Sequence, residues 1–335
     1  MGPSPLTGSM EPAHFLRVLC LAASLALTLT ADATAQGYPV RPIKLVVAYS
    51  AGGAVDTIAR VMAQKLAEAL GQQVIVENRS GASTLIAAVA VANSPPDGYT
   101  LFLATPDTLS TNPALRRDLP YDPLMSFAPI SMVAATPLIL VAHPSFPAND
   151  LMELVALVAA KPDGIAFGSF GIGSIAHFAG EMLNHAAGIR MSHVPYKGGA
   201  PLIIDLVGGQ VPLAIATMLT AAPQIKGGKM KAIAVMSSKR SSFLPDVPTI
   251  AESGYPQYDI AAWFALVAPA KIPEPIVKRL RDEVTKMQAM TDVKSKFAEI
   301  SAEIVIGGPD EYHKMVTDEI RRYSEIARRA NMKPE

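Results

Sequence analysis

The sequence predicts an α/β protein made of two parallel-sheet units, and three observations carry that expectation. From Ile43 onward, short β-branched runs alternate with helical patterns, the rhythm of strand and crossover helix. The runs are apolar on both faces, as strands covered by helices on either side must be. The alternation runs twice, and 335 residues correspond to about two domains of ordinary size.

In the first run, "IKLVVAY" is followed by a helix near Val55 to Leu70, then "QVIVEN", a helix near Leu85 to Ala92, and "YTLFLAT". The second starts at "LILVAH", Leu138 to His143, and continues through a helix after Asn149, "IAFGS", a helix after Ser174, "HVPY", a helix after Pro201, "VPLAIAT" and "KAIAVMS". A stretch rich in proline, serine and charge, "SSKRSSFLPDVPTIAESGYPQYD", interrupts the rhythm and leads into the strand "IAAWFALVAP". A helix from about Glu274 to Met290, a short helix with the strand "AEIVIG", and a long helix from about Asp310 to Ala330 close the chain. Arg321, Arg322, Arg328 and Arg329 lie toward the end of that last helix, where positive charge suits its dipole and a solvated face accounts for them.

Half of the residues are apolar, and 29 basic side chains balance 29 acidic ones, so charge points to no nucleic-acid partner. His14 and Arg17 precede the run "VLCLAASLALTLT", and Ala33 and Ala35 then supply the small residues of an export-peptidase site before Gln36. Residues 1–35 therefore read as a secretory signal peptide, with Met10 as an alternative start. The run is shorter than the roughly 20 residues that span a bilayer. Cys20 is the only cysteine, and Leu19 before it argues against a lipid anchor. The mature chain is expected to be periplasmic, to lack disulfides and to rely on its core.

Ligands of open parallel sheets settle where strands run into helices. Four such stretches share a character: "YSAGGAVD" (Tyr49 to Asp56), "ATPDTLSTN" (Ala104 to Asn112), "GSFGIGSIAH" (Gly168 to His177) and "VPYKGGAP" (Val194 to Pro201). Small residues and hydroxyls dominate, and Lys197 is their only base. Backbone N–H groups at a helix start, bared by glycine and backed by the helix dipole, form an anion site without arginine. Gly52 and Gly53 suit that use. The plainer alternative is that the glycines serve backbone conformation alone and Asp56 caps a helix.

Other chemistries fit less well. "GIGSIA" has the spacing of a dinucleotide loop, yet no acid follows about 20 residues later, and no phosphate-binding loop with its lysine occurs. Neither Ser169 nor Ser174 sits in the frame of a nucleophile elbow. His177, Glu181 and His185 share a helix stripe, but the two histidines are roughly 12 Å apart at 1.5 Å per residue, too far to share one ion. No cofactor, metal or catalytic residue is expected.

Taken together, "YPVRPIKLVVAYSAGGAVDTIARVMAQKLAEALGQQVIVENR", "SPPDGYTLFLAT", "NPALRRDLPYDPLMSFAPISMVA", "HVPYKGGAPLIIDLVGGQV", "LPDVPTIAESG" and "WFALVAPAKIP" resemble the signatures of the Bug-type solute receptors of tripartite tricarboxylate transport systems. The resemblance runs from about Tyr38 to the C-terminus. It implies a type II periplasmic binding protein fold: two α/β domains joined by two crossover strands, near Pro137 to Val141 and Ile260 to Leu266. Domain one would hold residues 36–136 and 260–335, and domain two residues 137–259. A small organic carboxylate would be gripped between them by backbone N–H groups, hydroxyls and water.

Positions matching the family's grip are Tyr49, Ser50, Gly52, Gly53 and Asp56, then Thr105, then Ser169, Gly173, Ser174 and His177, and Tyr196. The chain departs from the family pattern at "NRSGASTLIA", where Ser83 and Thr84 replace a glycine pair and bring side chains into the pocket. Ala216 stands where many relatives have aspartate, which suits a ligand lacking an amino group, and Ala265 replaces a frequent glycine. The expected partners are that carboxylate and the membrane subunits of a tripartite transporter, with a sensor kinase ectodomain as a second candidate. A periplasmic hydrolase is the alternative from another class.

Overall fold

The parallel strands β1 (Ile43–Val47), β2 (Val74–Asn78) and β3 (Thr100–Ala104) form one group, with β1 in the middle and Lys44 level with Ile75 and Thr100. The structure, a computed structural model, describes residues 37–333, so the signal segment expected over residues 1–35 lies outside the described residues. From Arg41 onward the chain forms one compact unit. No described helix is long and apolar enough to cross a membrane.

Helix α1 (Ala54–Leu70) follows β1 and packs Ile58, Met62 and Leu66, a stripe at four-residue spacing, into the core. Gly71 ends it in the left-handed conformation, at φ 66°, with its N–H on the Ala67 carbonyl. Helix α2 (Leu85–Ala92) leads from β2 to β3. Beyond β3 the expected loop "ATPDTLSTN" is instead a buried helical turn, Asp107–Thr111, running into the short α3 (Asn112–Leu115). Its polar side chains can be buried because they bond locally: Thr108 Oγ1 donates to Thr84 Oγ1 at 3.0 Å, and Tyr121 donates to the Thr108 carbonyl at 2.6 Å.

The strand expected to begin at Leu138 begins eleven residues earlier, as β4 (Phe127–Ala142). Its first part pairs antiparallel with β9 (Ala261–Pro269), with register shifts after Pro129 and Met132 that absorb the irregular sequence "FAPISMVA". Its last five residues pair with β7 (Leu213–Thr217), and part of them also with β8 (Lys231–Val235). β4 thus carries the chain from the first sheet into the second. The return is also fixed: Met236 N donates to the Leu138 carbonyl and Ile260 N to the Met236 carbonyl, both at 2.9 Å, just before β9.

In the second sheet, β5 (Ala166–Ser169) lies parallel to β6 (Ser192–Pro195) and to β7. Helix α4 (Leu151–Ala160) precedes β5, and α5 (Ile175–Ala187), α6 (Gly199–Val207) and α7 (Met218–Lys226) follow β5, β6 and β7. Ala216, expected as an uncharged wall of the pocket, is instead fully buried in the apolar core beneath α6 and α7. The sheet path is β2-β1-β3-β9-β4-β7-β5-β6. Helices α8 (Glu274–Ala289) and α9 (Thr291–Glu299), the short β10 (Glu303–Ile304) on β4, and α10 (Pro309–Arg329) complete the chain. α10 buries Tyr312, Val316, Tyr323 and Ala327, while Arg321 pairs with Asp318 and Arg329 with Glu325 on its open face.

Candidate functional site

The turns after β1, β3, β5, β6 and β7 meet at the carboxyl ends of their strands, so both sheets aim helix starts at one cleft. Two adjoining chambers occupy it, with about 450 and 760 Å³ of non-atom space that includes open solvent. Tyr49, Asp107 and Phe170 border both.

Two helix starts face each other in the smaller chamber. α1 begins after Gly53 and α6 after Gly198, and neither has a side-chain cap on its free N–H groups. A Cβ on Gly53 would lie 3.9 Å from the amide nitrogens of both Gly199 and Ala200. The positive ends of two helices, one from each sheet, therefore converge on one point, which favours an anion between them. Gly198 is needed there: its φ is 121°, and a Cβ would come within 3.2 Å of Ser50 Oγ. Asp56 does not face the chamber. It accepts from Gly52 N, Arg60 and Asn78 and so braces the turn from behind. Burial raises its pKa, and those donors outweigh burial and hold the carboxyl below its ordinary value.

The start of α5 is arranged differently. Ile175 N donates to Asp107 Oδ1 at 2.7 Å, and the Tyr49 hydroxyl donates to Asp107 Oδ2. Asp107 is 2% exposed and forms no ion pair among the described residues. Burial pushes its pKa up to about 6, against the pull of its two donors. Burial, and then the Asp107 charge, push the Tyr49 phenol well above its ordinary value.

In the larger chamber the turn at residues 81–84 is left-handed throughout. Gly81 has φ 134°, and Ala82, Ser83 and Thr84 have φ 44°, 51° and 76°. Three consecutive side chains in the glycine-favouring region store strain. Contacts hold them: Ser83 Oγ donates to the Ile172 carbonyl at 2.5 Å across the cleft, and Asn112 Nδ2 donates to Thr84 Oγ1 at 3.2 Å. Two more bonds cross, from Thr111 Oγ1 to the Gly173 carbonyl at 2.6 Å and from Ser50 Oγ to the Lys197 carbonyl at 3.2 Å.

Behind the turn after β5, Ser169 is fully buried, with Oγ 2.6 Å from His193 Nε2. The His193 ring stacks on His177 at 3.8 Å between centroids. Gly173 N donates to His177 Nδ1 at 3.1 Å. Burial lowers the His177 pKa to about 4; burial, and then His177, lower that of His193 to about 3. Ser174 Oγ accepts from His177 N at 3.2 Å and caps its own helix.

Of the positions expected from sequence, Tyr49, Gly53 and Thr105 line the smaller chamber, and Tyr49, Ser83, Thr84, Ser174 and Tyr196 line the larger. The Tyr196 hydroxyl turns to Asp205 at 2.9 Å. Ser50, Gly52, Asp56, Ser169, Gly173 and His177 line neither chamber and shape the turns that do. Sequence reasoning missed Asp107, Phe170, Gly199, Thr217, Thr220 and Phe264. Asp107 had a signal, as the one acid in its strand-end stretch, and Phe170 and Gly199 lie in stretches that the sequence had already marked; Thr217, Thr220 and Phe264 had none, since their meeting depends on the fold. Among the described residues no group of three histidines, cysteines or acids could hold a metal ion.

Comparison with known proteins places this cleft in a family context. The profile described as "Tripartite tricarboxylate transporter family receptor" matches residues 58–332. The chain is similar to Protein BugT of Bordetella pertussis, at 37% identity over 306 residues covering 91% of this chain and 94% of that one. Among solved structures it resembles a Rhodopseudomonas palustris protein with adipate (35% identity, TM-score 0.86, 89% of this chain and all of that one). It also resembles MatC from the same organism with bound malate, at 33% identity and TM-score 0.82, covering 86% of this chain and 99% of that one.

Proposed function

The chain belongs to the tripartite tricarboxylate transporter receptor family, the Bug-type solute receptors, and from that membership we propose that it captures a small organic carboxylate between two domains in the periplasm and presents the closed form to a membrane transporter. One observation carries the proposal: the uncapped starts of α1 and α6 converge within 3.9 Å of a Cβ on Gly53. That arrangement binds an anion by peptide dipoles alone, as the scarcity of cationic side chains at the cleft requires. Relatives solved with adipate and malate support a carboxylate as the guest.

The domains are residues 36–136 with 260–335, and 137–259, and β4 and the return at Ile260 are the passages between them. A guest touching both domains stabilises the closed arrangement over the open one by its differential affinity. The grip draws on Tyr49, Gly53, Thr105, Ser83, Thr84, Ser174 and Tyr196, joined by Asp107 and Gly199. The transporter, rather than a sensor kinase, is the partner that the family description supports. A hydrolase is disfavoured because Ser174 serves as a helix cap and Ser169 is sealed from both chambers. Residues 1–35 act as the export signal.

The test is native mass spectrometry of the purified protein to identify a copurifying carboxylate, then calorimetry on the parent and Gly53→Val. The variant is expected to bind at least about tenfold more weakly, or ~1.4 kcal/mol. Equal binding would remove the two helix starts from the site.

A further inference from the structure

Asp107 is a carboxylate on the wall of a ligand cleft without a cation of its own. It borders both chambers, is 2% exposed, and accepts from the amide of Ile175 and the hydroxyl of Tyr49. An ionised carboxylate offers about four acceptor positions, so roughly half of its capacity remains. The dipole at the start of α5, to which Ile175 N belongs, offsets part of the charge, but a buried anion with no charged partner remains costly, and that cost is removed by neutralising it or by bringing a cation to it. No lysine, arginine or histidine of the described chain does so. The smaller chamber is therefore polarised: positive where α1 and α6 start, negative at Asp107, with Phe170, Phe264 and Ala262 as apolar wall.

We propose that Asp107 is the specificity-determining residue of this receptor, and that its guest is an amino carboxylate. The carboxylate sits at the paired helix starts by Gly53 and Gly199, and a protonated nitrogen bearing N–H donates to Asp107. This reverses the expectation drawn from Ala216, that the guest lacks an amino group; Ala216 is in the core, and the acid that the pocket does hold comes from the other sheet, at the end of β3. The inference rests on the receptor reading above and narrows its ligand class.

Matched pairs separate the two. Succinate, glutarate and adipate are compared by calorimetry at pH 7.5 with 4-aminobutanoate, 5-aminopentanoate and 6-aminohexanoate, each of which replaces one carboxylate by an ammonium. The amino acid of at least one pair is expected to bind at least tenfold more tightly than its partner. Asp107→Asn, which keeps the acceptor for Ile175 N, should reverse that preference, losing at least tenfold for the amino acid.

A pH series adds a second readout. The titratable groups that interact with Asp107 are Tyr49, Tyr121, and Glu319 and Tyr323 of α10. Amino-acid affinity should rise between pH 5 and pH 7 in the parent and in Glu319→Gln, and stay flat in Asp107→Asn. Tighter binding of the dicarboxylates, or affinity that falls over that range, overturns the inference and leaves the receptor reading standing. Binding by neither set overturns the inference and removes short linear carboxylates from the receptor reading as well.

Discussion

The amide of Ile175 donates to Asp107 Oδ1 at 2.7 Å, which places a carboxylate from the end of β3 at the first turn of α5 on the opposite side of the cleft. Sequence reasoning put the anion-binding role on all the glycine-bearing strand ends alike. The structure divides them. The start of α5 already has an internal anion, whereas the starts of α1 and α6 have no side-chain cap and face each other. Of the four cleft hydrogen bonds described above, the Ile175 one alone has a carboxylate as acceptor; those from Ser50, Ser83 and Thr111 end on carbonyls. The Asp107 contact is therefore the crossing bond most sensitive to pH.

Asp107→Asn tests the cost of that buried charge. Burial raises the folded-state pKa to about 6, above the ordinary unfolded value of about 3.9. The folded state then holds more protons between these values, so the contribution of Asp107 to stability is full below about pH 4 and is lost as pH rises through 6. At pH 7.5 the asparagine variant should be more stable than the parent by about 1–3 kcal/mol. At pH 4 the two should agree, as read by urea unfolding. A parent that is the more stable at pH 7.5 would show that Asp107 is solvated or paired in solution.

The stacked histidines act in the opposite direction over the same range. His177 and His193 have folded pKa values lowered to about 4 and 3 by burial, below the unfolded value of about 6.5. Their contribution is present above pH 6.5 and is lost as pH falls toward 4, because the unfolded chain then binds protons that the folded chain refuses. In the parent, protonation of Asp107 masks part of the loss. In Asp107→Asn the acid loss should emerge, on the order of 2–4 kcal/mol between pH 6.5 and 4.5. Adding His193→Gln, which can still bond Ser169, should remove much of it. An unchanged slope would mean that the rings are reached by water.

Gly53→Asp should turn the anion site into an internal contact. Gly53 has φ −84° and ψ 177°, open to any residue, and a Cβ there meets nothing closer than 3.8 Å. Aspartate at this position caps α1 and puts a charge between two helix starts, worth about 1 kcal/mol in sum. The melting temperature should rise by a few degrees while carboxylate binding falls at least about a hundredfold. Higher stability with binding intact would mean that the guest does not use this point.

The strongly periodic elements were legible from sequence. α1 and α2 fall where the apolar stripe of the first and the short apolar run of the second put them, since each helix alone dictates its buried face. The first part of β4 was not, because Pro129 and the register shifts after it break the alternation that marks a strand. The turn Asp107–Thr111 looked like a loop because its residues are polar. It is buried only because Thr84, Tyr121 and Gly173, from elsewhere in the chain, supply its partners. The same reason governs the site: Gly53 and Gly199 are each recognisable as helix starts, but their distance from one another is a property of the two sheets together.

Ser83 offers a test of the strained turn that does not depend on any ligand. Ser83 lies at φ 51° and Thr84 at φ 76°. A left-handed conformation costs a residue with Cβ about 1–2 kcal/mol, and the Ser83 hydroxyl offsets about 0.5–1.5 kcal/mol of that through the Ile172 carbonyl. Ser83→Ala keeps the strain and loses the bond; Ser83→Gly loses both. The glycine variant should therefore be more stable than the alanine variant by about 1 kcal/mol in urea unfolding, the reverse of the usual order, in which glycine is worse by about 0.5–1 kcal/mol. The parent should exceed the alanine variant by roughly the value of its hydrogen bond. An alanine variant as stable as the parent and more stable than glycine would mean that the turn relaxes to a right-handed form, and that the Ser83 contact to the opposite side is not what holds it.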